Sequence, residues 1–250
     1  MVGWTMKRWK IVLGMTVVAL ALGCSSGNPT DMSKIIQSEK AKYNKAEIED
    51  IAVVSVVKMN IPKSEGMTPE QEKMLREMTG EQELKTWKKG EKYRVDAGNV
   101  VTIFDGKDSW FFAPFIGKQK ASADEGKQVH PEWHWWDLIS EDAKIVGTEK
   151  VDKRECWVIE SQFEEIPGKI WLDKNDMVLM KHEYGVEGEP KTIVSMVYSD
   201  HRKVKGDWKI PYKTVTYLDG ELTATMLVQS IEINQGLSDD LFDPDKVEVK

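Results

Sequence analysis

Residues 157–198 read WVIESQFEEIPGKIWLDKNDMVLMKHEYGVEGEPKTIVSMVY, and their pattern decides the fold. Apolar and polar side chains alternate through four stretches, Trp157–Phe163, Lys169–Asp173, Met177–Tyr184 and Lys191–Tyr198. A period of two is the signature of a half-buried β-strand. Turn-forming residues separate the stretches: Ile166-Pro167-Gly168, Lys174-Asn175, and the run from Gly185 through Gly188-Glu189-Pro190. The Lys174-Asn175 turn lacks the Gly that two-residue hairpin loops prefer, so a longer loop is expected there.

Folding each strand back antiparallel across its turn sets Ile159 opposite Leu172 and Ile170 opposite Leu179. Leu172 then faces Met177, Leu179 faces Met196, and Met177 faces Tyr198. Side chains two apart share a face. One face carries Trp157, Ile159, Ile170, Leu172, Met177, Leu179, Val194, Met196 and Tyr198, a continuous apolar stripe. The other carries Glu160, Trp171, Val178, Met180, His182, Ile193 and Val197 and is mixed. Two readings follow: a sheet packed on a core, or a curved sheet whose apolar face lines a cavity. In the second reading the nine stripe residues are the candidate cavity lining.

The chain has 250 residues, enough for one large β domain with a sizeable core. Its net charge is −7, and setting aside Lys7, Arg8 and Lys10 with the leader leaves about −10 by formal count. Basic residues are scattered, so nucleic acid is excluded as a partner. The two cysteines are Cys24 and Cys156. With Cys24 modified, Cys156 has no partner, which excludes a disulfide framework and a Cys-based metal site. Cys156 opens a strand and reads as a small buried apolar residue.

Met1–Gly23 reads as a lipoprotein signal peptide, not as part of the fold. Lys7, Arg8 and Lys10 form its positive region, with Met6 an alternative start, and Ile11–Leu22 its apolar region. That run is shorter than the ~20 residues that span a bilayer. Leu20-Ala21-Leu22-Gly23-Cys24 resembles a bacterial lipobox, with Ala21 where Leu is usual. Cys24 is therefore the expected lipidation site, and two or more acyl chains give stable anchoring. By the same analogy Ser25, where an inner-membrane retention Asp would stand, favours the outer membrane. Residues 24–30 form a short tether, whose span Ser25–Thr30 reaches at most about 20 Å.

The domain expected over 31–250 begins with a helix at Asp31–Glu47, whose Met32, Ile35, Ile36 and Tyr43 make a partial apolar face, followed by a β-branched strand at Ile48–Met59. Between Ile61 and Lys89 the strand pattern lapses. Thr68-Pro69-Glu70-Gln71 is a helix start, and Met74, Leu75 and Met78 fall on one side of that helix. Strands resume at Lys92–Ala97, Val100–Asp105 and Ser109–Ala113, and Pro114–Val129 is looser. His130-Pro131-Glu132-Trp133-His134-Trp135-Trp136-Asp137-Leu138-Ile139 is the most aromatic run and suggests a short helix. Its two histidines do not match HExxH spacing, so aromatic packing over the sheet is preferred to a metal. A large apolar concavity needs cover, and Met74, Met78, Trp133, Trp135 and Trp136 are the candidate plug. Trp208–Leu218 and Glu221–Asn234 pair through Asp219-Gly220. Asp239, Asp240, Asp243 and Asp245 close the chain without EF-hand spacing, as a solvated acidic tail.

No G-x-S-x-G, P-loop, G-x-G-x-x-G or H-E-x-x-H occurs, so a binding module is expected over an enzyme. Several segments resemble one family. Lys144-Ile145-Val146-Gly147-Thr148-Glu149-Lys150-Val151-Asp152-Lys153-Arg154-Glu155-Cys156-Trp157-Val158-Ile159-Glu160 resembles a segment of LolA-like outer-membrane lipoprotein-sorting proteins, with Lys153 where they have Gly. Lys169-Ile170-Trp171-Leu172-Asp173 through Met180-Lys181 resembles their next hairpin. Leu237-Ser238-Asp239-Asp240-Leu241-Phe242-Asp243-Pro244 resembles their ending. The resemblance implies a mainly β fold, a strongly curved open antiparallel sheet, or half-barrel, with helices plugging a concave face that holds acyl chains. It implies a membrane-anchored periplasmic binding protein for acyl chains or lipoproteins, serving lipoprotein or lipid sorting to the outer membrane. No cofactor is needed, and an envelope protein is a further expected partner. The alternative is an envelope interaction or sensing lipoprotein that uses the fold without lipid cargo; a third class is a hydrolase whose site carries no motif.

Overall fold

Strands dominate because most of the chain alternates apolar and polar side chains at the period of a sheet. The computed structural model describes residues 32–60, 68, 80–114, 117–121, 134–163, 166–186 and 192–247. Residues 31–250 make one compact unit, to which every described element belongs. A helix α1 (Met32–Lys45) leads into β1 (Asp50–Met59), β2 (Glu81–Lys89), β3 (Lys92–Ala97), β4 (Val100–Phe104), β5 (Ser109–Ala113) and β6 (Gly117–Lys120). A 3-10 turn at Trp135–Leu138 precedes β7 (Lys144–Val151), β8 (Arg154–Phe163), β9 (Ile166–Asp173) and β10 (Leu179–Val186). Then come β11 (Thr192–Lys205), β12 (Trp208–Leu218), β13 (Glu221–Ile233) and a second 3-10 turn at Asp239–Phe242.

The thirteen strands of the described residues form one open sheet in the order β6-β5-β4-β3-β2-β1-β13-β12-β11-β10-β9-β8-β7. Strands that follow one another pair antiparallel except β6 and β7, which form the two edges, and the long-range join is β1 with β13. The turn Asp219-Gly220 between β12 and β13 has φ of 50° and 84°, the positive pair that a primed hairpin turn needs. Three strands lie where none was expected. β2 occupies the end of the stretch read as helical, and that helix, from Pro69 to Met78, lies outside the described residues. β6 falls in the loose stretch after Pro114. β7 had been noticed only as part of the family resemblance.

The registers correct the expected pairing. Trp157 faces Leu172, and Ile159 faces Ile170. Leu179 faces Leu172, and His182 faces both Ile170 and Met196. The β8–β9 ladder is unbroken and simply slides, and the turn from Asp173 to Val178, longer than two residues, resets β10 against β9; beyond it a bulge between Leu179 and Lys181, where Met180 has no opposite number on β9, moves His182. A bulge inserts one residue and resets the alternation. The apolar stripe keeps its face, but His182 moves onto it from the mixed face. Met180 stays on the other side, packed with Cys156, Val158, Trp171 and Val178. Cys156 is fully buried there, and burial pushes its thiol pKa up. The Lys174-Asn175 turn is indeed longer. Asp173 Oδ1 accepts from the N–H of Asn175 at 2.9 Å and Asp176 at 2.6 Å, and Met177 takes a φ of 54°.

The C-terminal segment straps the outer face. Phe242 is 1% exposed against Val101, Ile103 and Phe112. Asp50, at the start of β1, holds the strap: its carboxylate accepts from the backbone N–H of Gln235 (2.8 Å), Gly236 (2.9 Å) and Leu237 (3.1 Å). Asp239, Asp240 and Asp245, among the closing acidic residues, pair with lysines. Asp239 meets Lys89 at 3.2 Å and Lys92 at 3.4 Å, and Asp240 meets Lys246 at 2.6 Å.

Candidate ligand-binding cavity

Among the described residues, two elements cover the apolar face of the sheet. Helix α1 directs Ile35 inward, with Met32 and Ile36 beside it. Its Tyr43 meets the rings of His134 (4.3 Å), Trp208 (5.2 Å) and Trp136 (6.3 Å), mostly edge-on, the arrangement that ring quadrupoles favour. Burial, then the nearby Asp137 carboxylate, pushes the Tyr43 phenol pKa up. The second element is the 3-10 turn. His134 stacks on Trp136 at 4.5 Å, and its Nδ1 lies 2.9 Å from Asp137 Oδ2. Trp135 and Leu138 are thereby turned down onto Ile159, Ile170 and Leu172. The far end of the turn is tied to β8: Ser140 N–H donates to Ser161 Oγ at 2.7 Å, and Gln162 N–H to Ser140 Oγ at 3.2 Å.

The cover fills one part of the concave face and leaves another open. Over β8 and β9 the packing is that of a core: Ile159 and Leu172 are fully buried. Toward β1, β2 and β11–β13 a cavity of about 340 Å3 remains. Its roof is Trp135, Trp136 and Leu138, and its walls include Val53, Leu84, Leu179, Met196, Tyr198, Ile210, Met226 and Val228. Ser55, Thr86 and Thr214, short buried residues, contribute the polar part of the inner wall. Charged residues also border it. Lys42 pairs with Glu39 at 2.7 Å, and Asp176 with Lys209 at 2.9 Å and Arg154 at 3.1 Å. Lys209 first, and Arg154 after it, hold the Asp176 carboxyl below the usual carboxylate range. His201 is held by its Nε2 contact to the Leu179 carbonyl at 2.8 Å, and burial lowers its pKa. The volume and the mix of apolar wall with few polar groups are those of a small-molecule site.

The candidate lining residues divide between the two zones. Met177, Leu179, Met196 and Tyr198 border the cavity. Trp157, Ile159, Ile170 and Leu172 lie under the cover, in the packed part. Val194 is buried opposite Tyr184 and Leu218, away from both. Of the candidate plug, Trp135 and Trp136 form the roof; Met74, Met78 and Trp133 lie outside the described residues, as does Cys24. Sequence reasoning missed α1 as part of the cover, although its Ile35, Ile36 and Tyr43 stripe was visible. It also missed the walls supplied by β1, β2, β12 and β13, where Val53, Thr86, Thr214, Met226 and Val228 follow the same alternation that exposed the central stripe. Among the described residues, no cluster of three or more His, Cys, Asp or Glu side chains is placed to hold a metal, and no helix is long and apolar enough to cross a membrane.

A family model described as "Uncharacterized protein" matches residues 94–248, more than half of the chain. The chain belongs to that family. No curated protein matches it. Three solved structures share the architecture. A domain assigned as an outer membrane lipoprotein-sorting protein, from Vibrio parahaemolyticus, is 13% identical with a TM-score of 0.59, covering 85% of this chain and 96% of that one. A DUF1329 family protein from Desulfovibrio piger is 15% identical with a TM-score of 0.57, covering 84% and 98%. A LolA superfamily protein from Nitrosomonas europaea is 12% identical with a TM-score of 0.55, covering 84% and 98%. The fold is thus LolA-like: a mainly β, open antiparallel sheet with a partly covered concave face.

Proposed function

We propose that this protein is a lipid-anchored envelope protein that holds acyl chains, free or as part of lipoproteins, in the concave cavity. Its role would be lipoprotein or lipid sorting to the outer membrane. The observation that carries the reading is the unfilled apolar cavity under Trp135 and Trp136. Interiors otherwise close-pack, and apolar surface left open to water is unfavourable by about 25 cal/mol per Å2. A sheet serving only as scaffold would fill that space with larger side chains than Ser55, Thr86 and Thr214. The LolA-like fold supports the same reading. Cys24 supplies the anchor, residues 1–23 are the signal peptide, and residues 24–30 are the tether that keeps the 31–250 domain near the lipid surface, facing the periplasm. Trp133, Trp135 and Trp136, with Met74 and Met78, act as the displaceable cover. Binding of this kind is apolar and requires neither cofactor nor catalysis.

The test is a titration of the 31–250 domain with long-chain acyl ligands, read by tryptophan fluorescence. Saturable binding with a spectral shift is expected. Replacing Trp133, Trp135 and Trp136 with Phe should remove most of the shift while the fold survives. If the wild type neither shifts nor binds saturably, the acyl reading is wrong, and an interaction module without lipid cargo takes its place.

A further inference from the structure

Two polar atoms beside the cavity have nothing to bond. The indole Nε1 of Trp135 and the imidazole Nε2 of His134 are buried, and neither makes a hydrogen bond. Both residues line the cavity. Trp135 is only 7% exposed, and the His134 side chain 8%. An indole N–H is a donor and nothing else. The His134 role follows from its neighbour: the Asp137 carboxylate can only accept, so Nδ1 carries the hydrogen, and in the neutral ring Nε2 is a bare acceptor. Interiors seldom leave such groups unpaired; where they do, a water, ion or ligand commonly completes the bonding.

The surroundings narrow the choice. Trp135 packs in a cluster with Leu138, Ile159, Ile170 and Leu172, whose side chains offer the indole no acceptor. A plain hydrocarbon or an ether-linked chain would bury the N–H still unpaired or poorly paired, whereas an acyl carbonyl presents a strong acceptor within an otherwise apolar ligand. We infer that the cavity selects chains that carry a carbonyl, joined through an ester or an amide, and that Trp135 Nε1–H donates to that oxygen. His134 Nε2 is the matching acceptor for a hydroxyl or amide N–H next to the carbonyl. This rests on the acyl-binding reading and adds to it the groups that read the acyl carbonyl and its neighbour.

Three ligands of equal chain length separate the possibilities: 1-monolauroylglycerol (ester), N-lauroylethanolamine (amide) and 1-O-dodecylglycerol (ether). Each is titrated, below its micelle concentration, into the 31–250 domain by calorimetry. The ester should bind about tenfold more tightly than the ether that lacks only the carbonyl, as expected when a buried donor is otherwise left unpaired. The amide oxygen is the stronger acceptor, so the amide should match or exceed the ester. Trp135→Phe should bring the ester-to-ether and amide-to-ether affinity ratios to about one, whatever change in affinity is common to all three ligands, with circular dichroism and the urea midpoint checking that the variant is folded. Equal wild-type affinities for ester and ether, or an ester preference that survives Trp135→Phe, would overturn the inference while acyl binding stands. If none of the three binds, the acyl-binding reading falls and this inference with it.

Discussion

Truncating Leu172 and truncating Met226 should have very different consequences, because the concave face is packed at one residue and open at the other. Leu172 is fully buried between Ile159 and Ile170 on one side and the Trp135–Leu138 cover on the other. Leu172→Ala removes three carbons from a close-packed site, where measured losses run from about 2.7 to 5 kcal/mol. Met226 is half-buried and borders the existing cavity. Met226→Ala enlarges a space that is already empty, so the loss is mainly of partial burial, about 1 kcal/mol. In urea, with a slope of roughly 3 kcal/mol per M for a domain of this size, the midpoint should fall by about 1 M or more for Leu172→Ala and by about 0.3 M for Met226→Ala. The slope itself should not change. Met226→Ala should in turn alter acyl-ligand affinity, while Leu172→Ala should act on stability. Equal midpoint shifts for the two variants would refute the division of this face into core and cavity.

Other expectations are shorter. Cys24→Ala should abolish incorporation of labelled palmitate and leave the protein unprocessed or soluble; labelling that persists in the variant would rule out Cys24 as the anchor. Asp50→Ala strips three backbone N–H groups of their carboxylate, at about 3 kcal/mol in total even if water recovers part of each bond, and should expose Leu237, Leu241 and Phe242 to chymotrypsin ahead of the sheet; an unchanged digestion pattern would refute the strap. His182 is buried with an unpaired Nδ1, and burial lowers its pKa from 6.5 to about 4. The unfolded chain therefore binds the proton first as pH falls. Stability is unaffected above pH ~6.5, declines by about 1.4 kcal/mol per pH unit below it, and levels off near pH 4 after a loss of about 3 kcal/mol. Urea midpoints from pH 7 to 4 should show this slope, and His182→Gln should flatten it; an equal slope in both proteins assigns the effect to other groups.

The four strands of Trp157–Tyr198 were legible because their alternation is strict and their turns carry Pro and Gly. The apolar stripe followed from that alone. What the alternation could not show was Met180. A bulge leaves no mark in composition, and one unpaired residue shifted every cross-strand partner beyond it and carried His182 to the opposite face. β2 was hidden because EQELKTWKK keeps few apolar residues: only Trp87 and Leu84 mark it, and only Thr86 is buried. β7 is an almost wholly exposed edge strand, so burial wrote little into its sequence. The cavity was visible only as a possibility. An apolar face reads the same whether it meets side chains or empty space, and that difference depends on how far α1 and the 3-10 turn extend across the sheet.

The pairing of β1 with β13 also bears on how the chain reaches its native state. Ile51 meets Ile233, and Val53 meets Ile231, so the middle of the sheet is closed by residues from opposite ends of the described chain. Every other join in the sheet is local, between strands that follow one another. Loop-closure entropy makes such a distant contact slow to form. The hairpins of β2–β6 and β7–β13 can form early, but β1 keeps one unpaired edge until β13 arrives. Val53, Val54, Val56 and Val57 lie along that edge, and a bare valine-rich strand is a template for pairing with another chain. The interval before β13 docks is thus the period in which this protein is most exposed to aggregation.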